Sequence, residues 1–162
     1  MATAVFPGSF DPVTTGHMDL IERASAIFDV LIIGVLNNSS KSPFFTIEER
    51  VQMLEKLTSG MPGTSVLPFN GLLTDFVKMT GADAIIRGVR SSSDFEYELP
   101  LAQANYKLNY KADTLFLAAR PEHSYISSSA VKELARYKGD IRGFVPEEVY
   151  QFIKQKFDSL DS

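Results

Sequence analysis

Pro7-Gly8-Ser9-Phe10-Asp11-Pro12-Val13-Thr14-Thr15-Gly16-His17 links a short apolar run, Thr3 to Phe6, to an amphipathic helical pattern, Met18 to Phe28. A strand ends, a Gly/Pro turn follows, and a histidine stands where a helix begins. Helix-start N–H groups lack intrahelical acceptors, and the helix dipole favours negative charge at that end. The turn is therefore suited to hold phosphate, and His17 adds a donor able to carry positive charge beside it. A histidine is poorly placed there for structure alone, because the dipole disfavours its charged form. A bound polyphosphate would reverse that preference. The stretch reads as a nucleotide-phosphate site at a strand-to-helix turn.

Outward from this turn, strand-like and helix-like segments alternate with short connections. Apolar runs at Thr3–Phe6, Val30–Leu36, Thr64–Phe69, Ala84–Ile86 and Thr114–Ala118 are near-continuous, as expected of parallel strands covered on both faces. In the first helix Leu20, Ile21, Ala24, Ile27 and Phe28 share a face. The second opens on the capping-box spelling Thr46-Ile47-Glu48-Glu49, with Ile47, Val51, Leu54 and Leu57 on one stripe. The third, Leu72–Thr80, stops at Gly81, a natural left-handed cap. The fourth spans about Asp94–Tyr110, with Pro100 inside it as a kink or break. The fifth starts near Ser127–Ser129 and ends at Gly139. The last takes Pro146 as its first helical residue and runs to about Phe157. The pattern predicts an α/β, Rossmann-like, doubly wound sheet of five parallel strands with flanking helices. A single domain is expected over residues 1–162, with 158–162 frayed. Ligands in such sheets sit at the strands' carboxyl ends, near the point where strand order reverses.

Composition narrows the function. The chain has 162 residues, 44% apolar and 22% charged, which suits one globular domain with a substantial core. Its net charge of −4 disfavours non-specific nucleic-acid binding, which needs basic patches. With no cysteine, disulfides, thiolate catalysis and zinc–thiolate sites are excluded. Only two histidines, His17 and His123, are present, so a His-rich metal site is excluded as well. No long apolar run or signal peptide is seen, so no membrane association is expected and the cytoplasm is the expected location.

Two further constellations carry chemistry. Ile86-Arg87-Gly88-Val89-Arg90-Ser91 leads into Asp94-Phe95-Glu96-Tyr97-Glu98. This fits a solvated turn with a salt-bridged helix start, since acids belong in first turns. It also fits an anion site, because Arg87 follows a buried strand at the ligand edge and guanidinium forks suit phosphate oxygens. Glu98 could accept from a ribose or adenine donor. Tyr125-Ile126-Ser127-Ser128-Ser129 fits an N-cap cluster and, equally, a neutral phosphate cradle of hydroxyls and helix-start amides. Lys41, in Asn38-Ser39-Ser40-Lys41-Ser42-Pro43, is either solvated surface or a cation on the same sheet edge as His17 and Arg87. His123 reads as a loop residue rather than a catalyst.

Gly8-Ser9-Phe10-Asp11-Pro12 followed by Gly16-His17 resembles the (T/S)-x-x-H signature of the nucleotidylyltransferase superfamily in its longer GxFDPxxxGH form. With Arg87-Gly88-Val89-Arg90…Asp94-Phe95-Glu96-Tyr97-Glu98 and Ile126-Ser127-Ser128-Ser129…Val131-Lys132, the chain from residue 3 to about 157 resembles the bacterial phosphopantetheine adenylyltransferases. That family often has threonine where Ser9 stands; the hydroxyl is retained. The resemblance implies transfer of an adenylyl group from ATP to 4′-phosphopantetheine. His17 would act as the catalytic donor together with the Phe10 amide. Ser9, Lys41, Leu73 and Arg87 would hold the acceptor. ATP would be held by Ser9, Phe10, His17, Gly88, Val89, Arg90 and Glu98, and by His123, Ser124, Tyr125, Ile126, Ser127, Ser128 and Ser129. Mg²⁺ would be carried mainly by the nucleotide phosphates, with no protein metal ligand. A homohexamer, and coenzyme A as feedback inhibitor, are implied in the same way.

Three rival readings remain. A nucleotidylyltransferase acting on nicotinamide mononucleotide or a cytidylyl acceptor is opposed by the Arg-Gly-Val-Arg…Asp-Phe-Glu-Tyr-Glu block. A non-catalytic nucleotide-binding regulator would have no need of a transition-state donor such as His17. A dinucleotide-binding dehydrogenase would want G-x-G-x-x-G after the first strand, and this chain lacks it.

Overall fold

A computed structural model describes residues 1–37 and 42–162. Its elements are β1 (Thr3–Gly8), α1 (Thr15–Ser25), β2 (Val30–Leu36), α2 (Ile47–Thr58), β3 (Thr64–Phe69) and α3 (Leu73–Thr80). They continue with β4 (Ala84–Val89), α4 (Ser92–Leu108), β5 (Asp113–Ala118), a 3₁₀ turn (Pro121–His123), α5 (Ser128–Arg136) and α6 (Glu147–Leu160).

The strands form one parallel sheet in the order β3-β2-β1-β4-β5. Period-two alternation splits each apolar run between two faces. Ala4, Phe6, Leu31, Ile33, Val35, Ala84 and Ile86 join one core, with Ile21, Met53, Leu54, Val131 and Val149 from α1, α2, α5 and α6. Val5, Ile32 and Ile85 face the other way, onto Phe76, Val77, Ala82 and Ala112. The order reverses beside β1, which pairs with β2 on one side and β4 on the other. The cleft expected of a doubly wound sheet therefore opens beyond the carboxyl ends of β1 and β4.

Local signals explain most boundaries. Thr46 and Glu49 form the reciprocal capping box of α2. Gly81 ends α3 at φ +67°. Ser127 caps α5. Seven expectations need correction. The edge strands β3 and β5 are largely exposed and not covered on both faces. α5 stops at Arg136 and not at Gly139. β4 runs on to Val89, so Arg87, Gly88 and Val89 belong to the strand. α1 stops at Ser25, and Ile27 is exposed beyond it. α4 starts at Ser92 and passes through Pro100 to Leu108 as one helix. Pro100 and Glu96 are both exposed, so the carbonyl left without a donor can bind water. Pro146 is the N-cap of α6, with an extended ψ of 153°, and not its first helical residue. α6 continues past Phe157 to Leu160, which shortens the expected frayed tail to the last two residues.

Candidate active site

The turn after β1 is fixed from beneath. Arg50, on α2 and 2% exposed, donates from Nη1 to Ser9 O at 2.8 Å and Leu36 O at 2.9 Å. Its Nε reaches Phe45 O at 3.1 Å and Thr46 O at 3.3 Å. Burial lowers the guanidinium's pKa, while Asp11 and Glu48 raise it. The buried Asp11 carboxylate accepts from the Phe44 and Phe45 N–H groups, both at 2.8 Å, and faces Lys132 Nζ at 3.4 Å. Between these anchors Phe10 holds φ +51°, a left-handed conformation uncommon for a non-glycine residue. Its N–H has no acceptor among the described residues. The Ser9 hydroxyl is exposed in the cleft while its carbonyl is held.

His17 occupies the third position of α1. Thr14 Oγ1 accepts from the His17 main-chain N–H at 3.2 Å, and the Thr14 N–H donates to His17 Nδ1 at 3.0 Å. A main-chain N–H can only donate, so Nδ1 is the bare nitrogen and Nε2 carries the proton. The imidazole meets the Phe10 ring edge-on, with centroids 5.0 Å apart. Burial first, then the charges of Arg90 and Arg87, push its pKa down to about 4. The expected charged donor is thus a neutral Nε2–H donor until an anion is beside it.

The sign for stability follows. The unfolded imidazole takes up its proton near 6.5, the folded one only near 4. Stability therefore falls as pH drops through this window and gains nothing from His17 above it. An NMR titration without nucleotide should place the His17 midpoint near 4, with ATP moving it upward. A midpoint at the ordinary histidine value would remove the neutral donor.

The cleft is a cavity of about 350 Å³. Of the expected residues it brings together Ser9, Phe10, His17, Arg87, Gly88, Arg90, Glu98, His123, Ile126, Ser127, Ser128 and Ser129. A Cβ at Gly88 would meet the Leu20 methyl, which would have to turn aside. Two of the three hydroxyls expected to cradle phosphate are already engaged. Ser127 Oγ caps the Ala130 N–H, and Ser128 Oγ donates to Pro12 O at 2.7 Å, which ties α5 to the first turn. Arg90 Nη1 donates to Ile126 O at 2.9 Å and so links β4 to that loop.

Four expected residues do not line the cavity. Val89 O accepts from the Ala119 N–H. Ser124 Oγ turns back to Pro121 O. Tyr125 packs edge-on against Phe144, and Leu73 packs under the sheet. Lys41 lies outside the described residues. Thr14 and Asp94 stand inside the sequence motifs without an assigned role, and Arg50 and Asp19 stand outside them. Asp19, 9% exposed, pairs with Arg23 at 3.0 Å and Arg120 at 3.1 Å and fastens α1 to the loop after β5. Arg50 had a visible signal: it lies three residues after Ile47 and four before Leu54, on the apolar stripe.

Comparison with known proteins places this cleft in a class. The cytidylyltransferase-like family model matches residues 5–134, which covers the first turn, all of the sheet but the start of β1, and most of α5. A crystal structure from Vibrio parahaemolyticus, reported as a nicotinate-nucleotide adenylyltransferase, superposes with a TM-score of 0.68. It covers 96% of this chain and 94% of that one at 14% identity, a likeness of fold alone. The phosphopantetheine adenylyltransferase of Lachnoclostridium phytofermentans is 52% identical over 100% of this chain and 99% of its own length. That of Staphylococcus carnosus is 53% identical, covering 95% of this chain and 96% of its own. The chain belongs to the phosphopantetheine adenylyltransferase family.

Proposed function

We propose that the protein reversibly transfers an adenylyl group from ATP to 4′-phosphopantetheine, giving 3′-dephospho-coenzyme A and pyrophosphate, in coenzyme A biosynthesis. The carrying observation is the neutral His17 imidazole, aligned by the Thr14 N–H beside the Phe10 amide, which has no acceptor among the described residues, at the reversal point of the sheet.

The acceptor is a phosphate monoester with a second pKa of about 6, so it is already an anion near pH 7. No general base and no covalent enzyme intermediate is needed. An acceptor oxygen bonds to the α-phosphorus of ATP, the bond from that phosphorus to the α–β bridging oxygen breaks, and pyrophosphate departs with the electron pair. Positioning and charge stabilisation carry such transfers. His17 Nε2–H and the Phe10 N–H donate to the α-phosphate as charge shifts outward. Arg87, Lys41 and Ser9 bind the acceptor phosphate, and the pantetheine arm extends past the cavity toward the half-buried Leu73. Arg90, Glu98, Gly88 and, from the segment His123–Ser129, the cavity-lining His123, Ile126, Ser127, Ser128 and Ser129 hold ATP, with Val89, Ser124 and Tyr125 standing behind them.

Among the described residues no three His, Asp or Glu side chains converge as a metal site, and the cavity carboxylates Asp94 and Glu98 each face an arginine. That donor set suits a Mg²⁺ carried by the nucleotide's own phosphates, where it would offset their charge. Coenzyme A shares the acceptor's arm and would compete for this cleft as a feedback inhibitor. No described helix is long and apolar enough to cross a membrane. We place the enzyme in the cytoplasm, where ATP is supplied. α4 has no buried residue, and Tyr97, Leu101 and Leu108 are exposed on one face of it. This face suits contacts between copies in a homohexamer, so sedimentation should return the mass of six chains and not one.

Pyrophosphate release tests the reading. ATP with 4′-phosphopantetheine should give turnover, and ATP with nicotinamide mononucleotide should not. Lys41→Ala and Arg87→Ala should raise KM for the acceptor more than for ATP. The opposite ranking would mean that the two subsites are exchanged.

A further inference from the structure

Arg87 and Arg90 leave the end of β4 toward the cleft, yet carboxylates from one helix already engage both. Glu98 takes the Nε–Nη2 edge of Arg87, with Nε–Oε2 at 2.9 Å and Nη2–Oε1 at 2.6 Å. Asp94 accepts from the Arg90 main-chain N–H at 3.0 Å and from Nε at 3.2 Å. Four residues apart, Asp94 and Glu98 lie on one face of α4. The inner pair is better shielded, with side chains 31% and 13% exposed at Arg87 and Glu98 against 39% and 29% at Arg90 and Asp94. Arg87 Nη1 also donates to Pro7 O at 3.0 Å. Of the five guanidinium N–H groups, one on Nη1 and one on Nη2 are left over.

A phosphate dianion reaching Arg87 thus meets a cation whose charge is balanced and whose bidentate edge is filled. Carboxylate and phosphate compete for that fork with the same geometry. A carboxylate left beside the phosphate repels it at close range and disfavours binding.

We propose that Glu98 is an internal competitor for the anion at Arg87. Its carboxylate stands in for phosphate, so that inorganic phosphate binds weakly and only an ester anchored elsewhere in the cleft displaces it. The selectivity comes from a built-in repulsive element rather than from an added contact. The inference rests on the reading of Arg87 as an acceptor-phosphate residue.

The test uses the full chain and inorganic phosphate as the probe, without nucleotide in the calorimetry and with ATP at fixed concentration in the kinetics. Calorimetry gives the phosphate Kd, and steady-state kinetics give inhibition by phosphate against the acceptor. Glu98→Gln keeps the side chain's shape and removes its charge. It should bind phosphate at least about threefold more tightly, and phosphate should become the stronger competitive inhibitor. Glu98→Ala should move the same way. Unchanged or weaker phosphate binding in both variants would overturn the proposal and leave Glu98 as a residue that only orients Arg87. Arg87→Ala, run in parallel, separates the two levels. If it weakens phosphate and acceptor while Glu98→Gln gains nothing, Arg87 keeps its assignment and the competitor is refuted. If it changes neither, the assignment of Arg87 fails and the proposal fails with it.

Discussion

Replacing His17 by alanine is expected to lower kcat by a factor of about 10² to 10³ while leaving the ATP Kd within about tenfold. In the proposed reaction the imidazole donates from Nε2 to the α-phosphate, where charge shifts only as the bond to pyrophosphate breaks. Its loss therefore acts on the transition state far more than on bound ATP, and kcat and kcat/KM should fall together. The same substitution removes the acceptor of the Thr14 N–H, half of the capping box of α1. Loss of a cap contact costs about 1 kcal/mol, so a small drop in Tm is expected and does not account for the kinetic loss. Steady-state kinetics with calorimetric ATP binding make the measurement. Near-normal turnover would dismiss His17 as the donor.

Arg50→Met should produce the largest loss of stability. The side chain is 2% exposed, and its guanidinium reaches the carbonyls of Ser9, Leu36, Phe45 and Thr46. Methionine fills similar volume but leaves the Ser9, Leu36 and Phe45 oxygens unpaired. Each stranded acceptor costs about 1–3 kcal/mol, so a total of about 3 kcal/mol or more is expected. For a chain of this size that is a fall in Tm of roughly 10 °C. Arg50→Lys should rescue little, because one ammonium cannot span acceptors that a planar fork reaches on two sides. The turn carrying Ser9 and Phe10 loses its anchor as well, so activity per folded molecule should drop. Thermal unfolding within about 2 °C of the parent would show that the arginine is not the support it is described as here.

These two residues differ in how far the sequence reveals them. His17 stands in a turn whose glycines, prolines and following helix pattern announce an anion site, so its place is readable locally. Its state is not. The lowered pKa comes from burial and from Arg90 and Arg87, which the chain delivers from some seventy residues away. Arg50 shows its burial by standing on the apolar stripe of α2, but not its acceptors. Only the folded turn brings Ser9 O and Leu36 O to it. Glu98 is intermediate. Its presence near Arg87 follows from the strand-to-helix spacing, but the bidentate pairing depends on the angle at which α4 leaves the sheet. The boundaries that moved, β4 lengthened to Val89 and α4 continuous through Pro100, moved because sheet pairing and solvent satisfy backbone groups that local propensity leaves open.

By itself the chain's order of residues determined the five strands, most of the helix caps, the turn after β1 and the kind of chemistry its donors allow. These depend on residues a few positions apart, where hydrogen bonding and side-chain periodicity act. The tertiary structure alone decided the reversal of strand order beside β1, the tautomer and neutrality of His17, the acceptors of Arg50 and the prior engagement of Arg87 by Glu98. Each of these is a balance of desolvation and charge between groups distant in the chain, and such a balance has no value until packing sets the distances.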